Sequence, residues 1–257
     1  MPAHGVSLLR TGLAGNAILG PWELGTAMNE PVGISGFAVY VPPYRIDLQA
    51  WCDWTNNPWD KTKAVVGRSF RMRGPAQSVY TIAATAVLRL IERYDIDPAR
   101  VGFLGLGTES STDNSAGAVI IKGMLDDALK AKGLSPLSRH CEVPEVKHAC
   151  LGGVYAMKHA LRYLALEKDD RCAIVVSADI AEYARGSSGE PTQGAGAVAM
   201  LLERNPKMLE VDLANIGSAS SYRAVDFRKP VPRNIIRGKI NCHFQDLPVL
   251  NGKYSTT

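Results

Sequence analysis

Cys150 is the residue of this chain that is best placed to act as a nucleophile. It lies between a predicted strand, residues 141–147, and a predicted helix that Gly152 and Gly153 open. The partial positive charge of a helix N-terminus lowers the pKa of a thiol, and free backbone N–H groups there stabilise an oxyanion. A thiolate so placed is a competent acyl acceptor. The alternative, a cysteine buried as a small apolar side chain, stays open at this point.

Glu109 is the second candidate, and the chemistry that it offers is proton transfer. It follows a predicted buried strand, residues 101–107, in a polar segment with Thr108, Ser110 and Ser111. Sites in α/β sheets are usually built where the strands end. A carboxylate that is partly desolvated there can act as a general base. The alternative is a loop carboxylate in water.

A third feature is the run GEPTQGAGAVAM at residues 189–200, which carries Glu190, Thr192 and Gln193. Glycine and alanine at this density let backbone, a neighbouring helix or a ligand approach closely. From the glycines alone, a ligand site and a tight turn before a buried strand are equally good interpretations.

The other thiols and imidazoles carry weaker signals. Cys52, Cys141, Cys172 and Cys242 lack the strand-to-helix context and are predicted to be structural. His148 precedes Cys150 by two residues in chain predicted to be extended, so both side chains should point the same way, but a structural role is favoured. The five cysteines form no CxxC pair, which argues against a disulfide framework or a zinc site and favours a reducing compartment.

The elements that must position these residues alternate along the chain. Helices are predicted at residues 47–54, 78–94, 116–132 and 151–166 from apolar spacing and capping residues. Strands are predicted at residues 32–41, 101–107, 141–147, 172–178, 195–202 and 208–216. The helix at 151–166 is apolar on nearly every face and is therefore predicted to be buried. The alternation predicts an α/β fold with a mainly parallel or mixed sheet.

The bulk composition narrows the class of protein. A chain of 257 residues is long enough for one large α/β domain or two small ones. Its 46% apolar and 21% charged residues are ordinary for a soluble globular protein. The net charge of +4 is small and unclustered, so neither nucleic acid nor a membrane surface is an expected partner. No apolar run approaches the roughly 18–20 residues that span a bilayer.

The first 29 residues differ from the rest. They are rich in glycine, carry Arg10 inside their only apolar patch and lack a continuous hydrophobic region, so a signal peptide is not predicted. We predict a tail at 1–29, either disordered or an over-extended start, and a single domain at 30–257. Together with the cysteine usage, this leads us to expect a cytoplasmic protein.

Several motifs, taken together and in this order, resemble the hydroxymethylglutaryl-CoA synthases of the thiolase superfamily. They are GTES at 107–110, KHACLGG at 147–153, VVSADIAEYA at 175–184 and GEPTQGAGAVAM at 189–200. VGISGFAVYVPPYRID at 32–47, DFRKP at 226–230 and PVLNGKYS at 248–255 extend the resemblance to about residues 30–257. The glycine-rich run beside an ACxGG cysteine is the most specific part.

The resemblance implies a role for each matching residue. Cys150 would be acetylated by acetyl-CoA, and Glu109 would be the general acid/base that takes a proton from the acetyl methyl group. The carbanion then adds to the ketone of acetoacetyl-CoA, water releases the product, and the product feeds the mevalonate route to isoprenoids. Four positions match family contacts with the acyl-CoA: Thr192, Ser255, Ser188 and Asp60. The resemblance implies no cofactor, a homodimer, and acyl-CoA or acyl carrier protein partners.

The sequence also departs from the family pattern. The family's catalytic histidine lies beyond the segment that matches NGKYS, and no histidine of this chain takes its role, His243 included. We therefore expect the N-terminal half of a duplicated αβαβα layered core, with the C-terminal half absent and one apolar face uncovered. Such a half should be inactive alone. Two alternatives stay open: a ketoacyl-synthase-III-like condensing enzyme, and a non-catalytic half-subunit that a second chain completes.

Overall fold

Strands alternate with helices through the part of the chain that the computed structural model describes. It describes residues 30–221, without Lys168 and Ser188, and the backbone of residues 234–236 and 239–241. The strands are β1 (Val32–Tyr40), β2 (Tyr44–Asp47), β3 (Ser69–Met72), β4 (Val101–Thr108), β5 (Glu145–Lys147), β6 (Cys172–Ala181), β7 (Gly194–Arg204), β8 (Leu209–Val211), β9 (Asn234–Ile236) and β10 (Lys239–Asn241). The α-helices are α1 (Leu48–Thr55), α2 (Trp59–Val65), α3 (Val79–Tyr94), α4 (Gly117–Ala131) and α5 (Gly152–Leu166).

Six of the strands form one mixed sheet in the order β5-β4-β6-β7-β1-β8. β4 is parallel to both β5 and β6, whereas β7 is antiparallel to β6 and to β1. β8 completes the far edge antiparallel to β1. The sheet confirms the predicted α/β class. The three parallel strands end at one edge, which therefore collects the loops that follow them.

Helices cover the two faces of this sheet unequally. One face carries α3, which packs on β1, β6 and β7, and α4, which packs on β4; both helices contribute to one buried cluster with the strands. The other face carries α5, which packs mainly on β4 and β6. The buried cluster under α5 includes Ala156, Ala160 and Leu161 of the helix, Phe103 of β4 and Val175 of β6. β4 is thus covered on both sides, which accounts for its unbroken apolar sequence.

The helix α3 shows why the local sequence folds as predicted. The Ser78 hydroxyl accepts a hydrogen bond from the Thr81 N–H, and the Thr81 hydroxyl accepts one from the Ser78 N–H, which makes a capping box. The apolar positions between these caps face the sheet. Asp95 ends the helix in the left-handed conformation, with φ of 49°.

A small unit precedes α3 and stands apart from the main core. It consists of β2, α1, α2 and β3, with β2 and β3 paired antiparallel. Asp47 caps α1 by accepting hydrogen bonds from two backbone N–H groups, as its position before the helix predicted. Four buried residues form the centre of the unit: Leu48, Trp51, Cys52 and Phe70.

Three of the predicted elements differ from the structure. The strand predicted at 141–147 is regular only over Glu145–Lys147, because Pro144 cannot extend the ladder. The strand predicted at 208–216 is Leu209–Val211, since the Asp212 carboxylate then accepts hydrogen bonds from the N–H groups of Ala214 and Asn215 and makes a turn. The helix at 151–166 is not buried on all sides: Val154 and Leu166 are exposed.

The predicted domain boundary stays a prediction, because residues 1–29 and most of those beyond 221 lie outside the described part of the chain. Within the described residues, no helix is both long and apolar enough to cross a membrane.

The N-terminus of α5 lies directly on the backbone of β4. A Cβ atom added to Gly107 would lie 2.1 Å from the Gly153 nitrogen, and one added to Gly152 would lie 2.6 Å from the Val146 carbonyl oxygen. On the other side, a Cβ at Gly153 would lie 2.0 Å from the Ser177 Oγ atom. Side chains larger than hydrogen at 107 and 152 would meet backbone, so the helix would have to move away from the sheet.

We expect Gly107→Ala to lower the free energy of unfolding by about 1–3 kcal/mol, because the new methyl group overpacks a backbone contact. Gly123→Ala is the matched control, since a Cβ at Gly123 in α4 meets no atom within 4 Å. It should raise the stability by about 0.5–1 kcal/mol through helix propensity. Urea unfolding followed by circular dichroism measures both. Equal midpoints for Gly107→Ala and the wild type would contradict the close approach of α5 to β4.

Candidate functional site

The two principal candidates follow neighbouring strands at the same edge of the sheet. β4 and β5 are parallel, and Thr108 at the end of β4 is in register with Lys147 at the end of β5. Glu109 comes directly after Thr108, and Cys150 comes three residues after Lys147. The structure therefore brings the proposed nucleophile and the proposed base to one edge.

Cys150 lies exposed in a single 3-10 turn, Ala149–Leu151, that joins β5 to α5. Ala149 has a φ of 36°, a left-handed conformation that is uncommon for a residue with a Cβ atom. Such backbone outliers cluster at active sites, where the surrounding structure holds them. Here the packing of Gly152 and Gly153 on β4 is what holds the turn.

The turn corrects two expectations about the surroundings of Cys150. The Leu151 N–H donates to the His148 carbonyl at 2.8 Å, and the Gly152 N–H donates to the Ala149 carbonyl. These two groups are therefore not free to stabilise an oxyanion. His148 and Cys150 do not share an extended segment, because Cys150 is in the 3-10 turn; the His148 ring instead contacts the Tyr155 ring, with centroids 5.1 Å apart.

Glu109 is half-buried, and its backbone is held by Asp179 of β6. One Asp179 oxygen, Oδ1, accepts hydrogen bonds from the Glu109 N–H at 2.9 Å, the Ser110 N–H at 3.1 Å and the Ser110 hydroxyl at 2.6 Å. The Thr108 hydroxyl adds a fourth at 3.0 Å. Hydrogen bonds to a carboxylate are stronger than neutral ones. Asp179 is thus the residue that positions Glu109.

The sequence contains one signal for Asp179. It is the charged residue inside a strand that is otherwise apolar or small, CAIVVSADIA. Its partners lie about seventy positions earlier in the chain, at Thr108 to Ser110. The role as an anchor therefore follows from the pairing of β4 with β6, which the residue pattern does not reveal.

The far side of the same loop is tied to β5 and α3. The Glu145 carboxylate accepts hydrogen bonds from the Ser111 hydroxyl and from the Gly117 N–H at the start of α4. Tyr80 of α3 donates to Asp113, and this hydrogen bond lowers the pKa of the Asp113 carboxyl. Burial, together with the Asp113 carboxylate, raises the pKa of Tyr80. The loop after Glu109 is therefore held at both of its sides.

Thr192 lies at the same edge, before β7, which runs antiparallel to β6. It is exposed, in a 3-10 turn that spans Glu190–Thr192, and its hydroxyl donates to the Gly189 carbonyl at 2.7 Å. The Glu190 side chain is buried and accepts a hydrogen bond from the Gly186 N–H at 2.6 Å. The side chains of Glu190 and Thr192 thus stabilise the turn through hydrogen bonds to nearby backbone groups. Two strand spacings, about 10 Å, separate β7 from β4.

Of the remaining predicted contact residues, the structure describes only Asp60. Asp60 is exposed in the first turn of α2, in the small unit outside the main core. Ser188 and Ser255 lie outside the described residues, so their proposed contacts with acyl-CoA stay predictions. No group of three or more His, Cys, Asp or Glu side chains in the described residues has an arrangement that could hold a metal ion.

The other described cysteines are buried, as predicted. Burial raises the pKa of the Cys141 thiol to about 11 and that of the Cys172 thiol to about 12. Both thiols therefore stay protonated in the folded protein well above neutral pH. Cys52 is buried in the small unit, and Cys242 lies outside the described residues. Cys150 is the exposed thiol of the described chain.

We expect Asp179→Asn to lower the free energy of unfolding by about 1–3 kcal/mol, because charge-assisted hydrogen bonds to the loop weaken. The amide protons of Glu109 and Ser110 should exchange with solvent faster, which hydrogen exchange with mass spectrometry detects. Asp127→Asn is the control, since Asp127 is highly exposed and lies 3.9 Å from Lys130. Unchanged exchange in Asp179→Asn would show that Asp179 does not hold the loop.

Alkylation of the native protein at pH 8 should modify Cys150 first and leave Cys141 and Cys172 intact, since the thiolate is the reactive form. The raised pKa values also predict that these two thiols stabilise the fold below pH 9. That contribution is lost as the pH rises through about 11 to 12. Peptide mass spectrometry after iodoacetamide treatment identifies the modified sites. In urea all should react, and rapid native labelling of Cys172 would contradict its burial.

Comparison with known proteins identifies the family to which this chain is similar. Residues 28–207 match the family model described as hydroxymethylglutaryl-coenzyme A synthase N terminal. The hydroxymethylglutaryl-CoA synthase of Enterococcus faecalis is 34% identical over 72% of this chain and 45% of its own length. Synthase A of Dictyostelium discoideum is 30% identical over 88% of this chain and 46% of its own length. The chain thus spans about half the length of these relatives.

Solved structures give the same fold. MvaS in complex with 3-hydroxy-3-methylglutaryl coenzyme A superposes with a TM-score of 0.69 at 31% identity, over 84% of this chain and 49% of that chain. The HMG synthase of the curacin pathway, in complex with apo donor-ACP, has a TM-score of 0.62 at 24% identity, over 72% of this chain and 43% of that chain, and shows the fold alone. The fold is therefore that of the N-terminal part of these thiolase-like enzymes. This chain belongs to the hydroxymethylglutaryl-CoA synthase family.

Proposed function

We propose that this chain supplies the acyl-transfer part of a hydroxymethylglutaryl-CoA synthase. Cys150 accepts the acetyl group and Glu109 moves the proton. The observation that carries this proposal is the placement of an exposed thiol at the N-terminus of α5, at the sheet edge where Asp179 holds the loop of Glu109. Membership in the family supports the reaction class, and the shared edge supports the roles proposed for these two side chains.

The reaction divides into three balanced steps. The Cys150 thiolate attacks the acetyl-CoA carbonyl, and the CoA thiolate leaves and takes up a proton. Glu109 then removes a proton from the methyl group of the acetyl thioester, and the carbanion forms a carbon–carbon bond with the ketone carbon of acetoacetyl-CoA as the C=O π bond opens. The resulting alkoxide takes up the proton that Glu109 removed and becomes the 3-hydroxy group. Water finally cleaves the thioester to Cys150, which releases 3-hydroxy-3-methylglutaryl-CoA and restores the thiol. No cofactor is needed in this scheme.

Within the described residues, part of the α5 face of the sheet is uncovered, which supports completion by a second half. Val32 belongs to the cluster under α5, whereas Ala38 and Tyr40 belong to the cluster under α3, so Phe37 and Val39 point toward the α5 side beyond the helix. Both are 45% exposed, and Val198, the cross-strand partner of Val39, is 39% exposed. Contiguous apolar side chains at a sheet face mark an interface.

We propose that a C-terminal half, in the same chain or a separate one, covers this face and supplies the remaining catalytic groups. The exposed α5 residues Leu151 and Val154 continue the apolar surface toward Cys150. A half that covers this surface therefore also forms the second wall of the site. The described chain alone is then expected to be inactive in condensation. A homodimer of the completed enzyme is the assembly that we propose.

Acyl-CoA is the donor and acceptor class that we favour, with an acyl carrier protein as the second candidate. The family name and the relative bound to 3-hydroxy-3-methylglutaryl coenzyme A support CoA. The more distant curacin-pathway enzyme was solved with a donor carrier protein, so a carrier-protein donor is the second candidate. A cytoplasmic location fits the free thiols at Cys52, Cys141, Cys150 and Cys172.

Glu109 argues against a ketoacyl-synthase-III-like reaction. That reaction generates its carbanion by loss of CO₂ from a malonyl thioester and so needs no carboxylate to remove a proton. A carboxylate whose loop is held by four hydrogen bonds to Asp179, beside the nucleophile, favours deprotonation instead. A half-subunit without catalytic function would likewise not need that arrangement.

Labelled acetyl-CoA should acetylate the wild type at Cys150, and Cys150→Ser should carry no label. Glu109→Gln should still become acetylated but lose about 10²–10⁴-fold in condensation, measured with the complementary half present, because general acid/base catalysis is lost. Glu210→Gln, at an exposed position of β8, is the control and should condense like the wild type. Peptide mass spectrometry locates the label, and loss of acetoacetyl-CoA absorbance measures condensation.

Two outcomes would contradict these roles. Persistent label in Cys150→Ser would place the acetyl group on another residue. Full condensation by Glu109→Gln would remove Glu109 from proton transfer. Turnover by the described chain without its complementary half would contradict the need for completion.

A further inference from the structure

Lys147, the last residue of β5, connects the two segments that carry the candidate catalytic groups. Its ammonium donates a hydrogen bond to the Asp113 carbonyl oxygen at 2.6 Å. Lys147 precedes Cys150 by three residues, and Asp113 follows Glu109 by four. The contact therefore joins the chain that enters the Cys150 turn to the loop that begins with Glu109.

The geometry of β5 explains how the Lys147 side chain reaches this loop. Successive side chains of a strand point to opposite faces of the sheet. Val146 packs in the cluster under α5, so Glu145 and Lys147 lie on the opposite face, where the loop runs. Glu145 accepts hydrogen bonds there from the Ser111 hydroxyl and from the first N–H of α4. Lys147 adds a contact between these two points, two residues further toward the turn.

Each of the two segments contains a strained backbone position two residues beyond this hydrogen bond. Ser115, which follows Asp113, has a φ of 64°, and Ala149, which follows Lys147, has a φ of 36°. Both values lie in the left-handed region, which is costly for a residue with a Cβ atom and persists only where the surrounding structure holds the chain. The hydrogen bond fixes the two segments to each other next to both of these positions.

The acceptor end of the contact is itself held in place. Tyr80 of α3 donates to the Asp113 carboxylate, and the Ala116 N–H donates to the Asp113 Oδ1 atom at 2.5 Å. The Tyr80 hydroxyl also accepts a hydrogen bond from the Thr112 N–H at 3.3 Å. Lys147 therefore donates to a carbonyl group whose position α3 helps to define, and the neighbouring Asp113 carboxylate attracts the ammonium.

The contact is better suited to set the geometry of the site than to stabilise the fold. Lys147 is exposed, and the hydrogen bonds and ion pairs of exposed ammonium groups contribute little to stability. Misplacement of reacting groups by about 1 Å, in contrast, lowers a rate by about 10²-fold. Loss of the contact should therefore slow a step that needs both segments far more than it affects folding.

We propose that Lys147 is a positioning residue that holds Glu109 in place beside the acetyl group on Cys150. The proposal rests on the proposed function for the roles of these two residues. Acetylation of Cys150 needs only the turn and the acyl donor, whereas removal of a methyl proton needs Cys150 and Glu109 in a fixed relation to each other. Lys147 therefore acts on the proton-transfer step and not on the acetylation step.

The test uses Lys147→Met with the complementary half present. Condensation should fall about tenfold, whereas the rate at which labelled acetyl-CoA acetylates Cys150 should stay within about twofold of the wild type. Lys147→Arg keeps a cationic donor and should retain at least about half of the wild-type condensation rate. Lys132→Met is the matched control, because the exposed Lys132 ammonium also joins two elements, through Glu92 at 2.8 Å, but belongs to neither segment of the site.

A kinetic isotope effect distinguishes positioning from a loss of folded protein. With acetyl-CoA that carries a trideuterated methyl group, Lys147→Met should show a larger isotope effect on condensation than the wild type, because proton removal becomes the slow step. A smaller fraction of folded protein would lower the rates with both substrates equally. An unchanged isotope effect, equal losses of acetylation and condensation, or an equal loss in Lys132→Met would overturn the role of Lys147.

The same measurements separate this proposal from the proposed function. A wild type that carries no label at Cys150 would overturn the proposed function. A wild type that is labelled and condenses, together with an unaffected Lys147→Met, would overturn the role of Lys147 alone.

Discussion

The contact of α5 with the backbone of β4 is the constraint on which the site depends. Glycines at 107, 152 and 153 let helix and strand approach more closely than any side chain would permit. This approach presses the positive end of a fifteen-residue helix against the edge of the sheet. The chain must then enter the helix through one tight turn, which accounts for the left-handed Ala149. Cys150 lies in this turn and is exposed.

Two carboxylates position the second part of the site, because they hold the loop after β4 that carries Glu109. Asp179 and Glu145 belong to the strands on either side of β4, and each accepts hydrogen bonds from the segment that follows β4. A partly buried charge is costly unless it is hydrogen-bonded, and here hydroxyl and backbone N–H donors meet that need. The loop thus gains its shape from its neighbours. The neighbouring strands β5 and β6 therefore define the position of the backbone that carries Glu109.

Residue patterns predicted much of this fold, and the limits of that prediction are physical. The apolar spacing of α3, the apolar run of β4 and the small-residue strand β7 are local signals, and each appears in the structure. The helix α2 has no buried residue, so it carries no apolar periodicity and was not predicted. The strand predicted at residues 141–147 is longer than the observed strand, because Pro144 has no N–H group to donate to the ladder.

The site follows the same division. The edge shared by Glu109 and Cys150 was predictable, because parallel strands end together and both residues follow strands. The anchor Asp179 is not predictable in this way, since its role depends on contacts between distant segments. A side chain that acts through a long-range contact leaves no periodic trace in the sequence. The occupied N–H groups of Leu151 and Gly152 likewise appear only when the turn is seen.

The uneven covering of the sheet has a consequence for the site itself. Phe37, Val39 and Val198 alternate with residues that face α3, so β1 and β7 are apolar on both faces. A strand with one solvated face would carry polar residues at these positions. This pattern within the described residues is the basis for the proposed second layer beside α5. In the proposed assembly, the element that covers the sheet also lies against the exposed residues Leu151 and Val154 next to Cys150, so folding of the second layer and assembly of the active site would be one event.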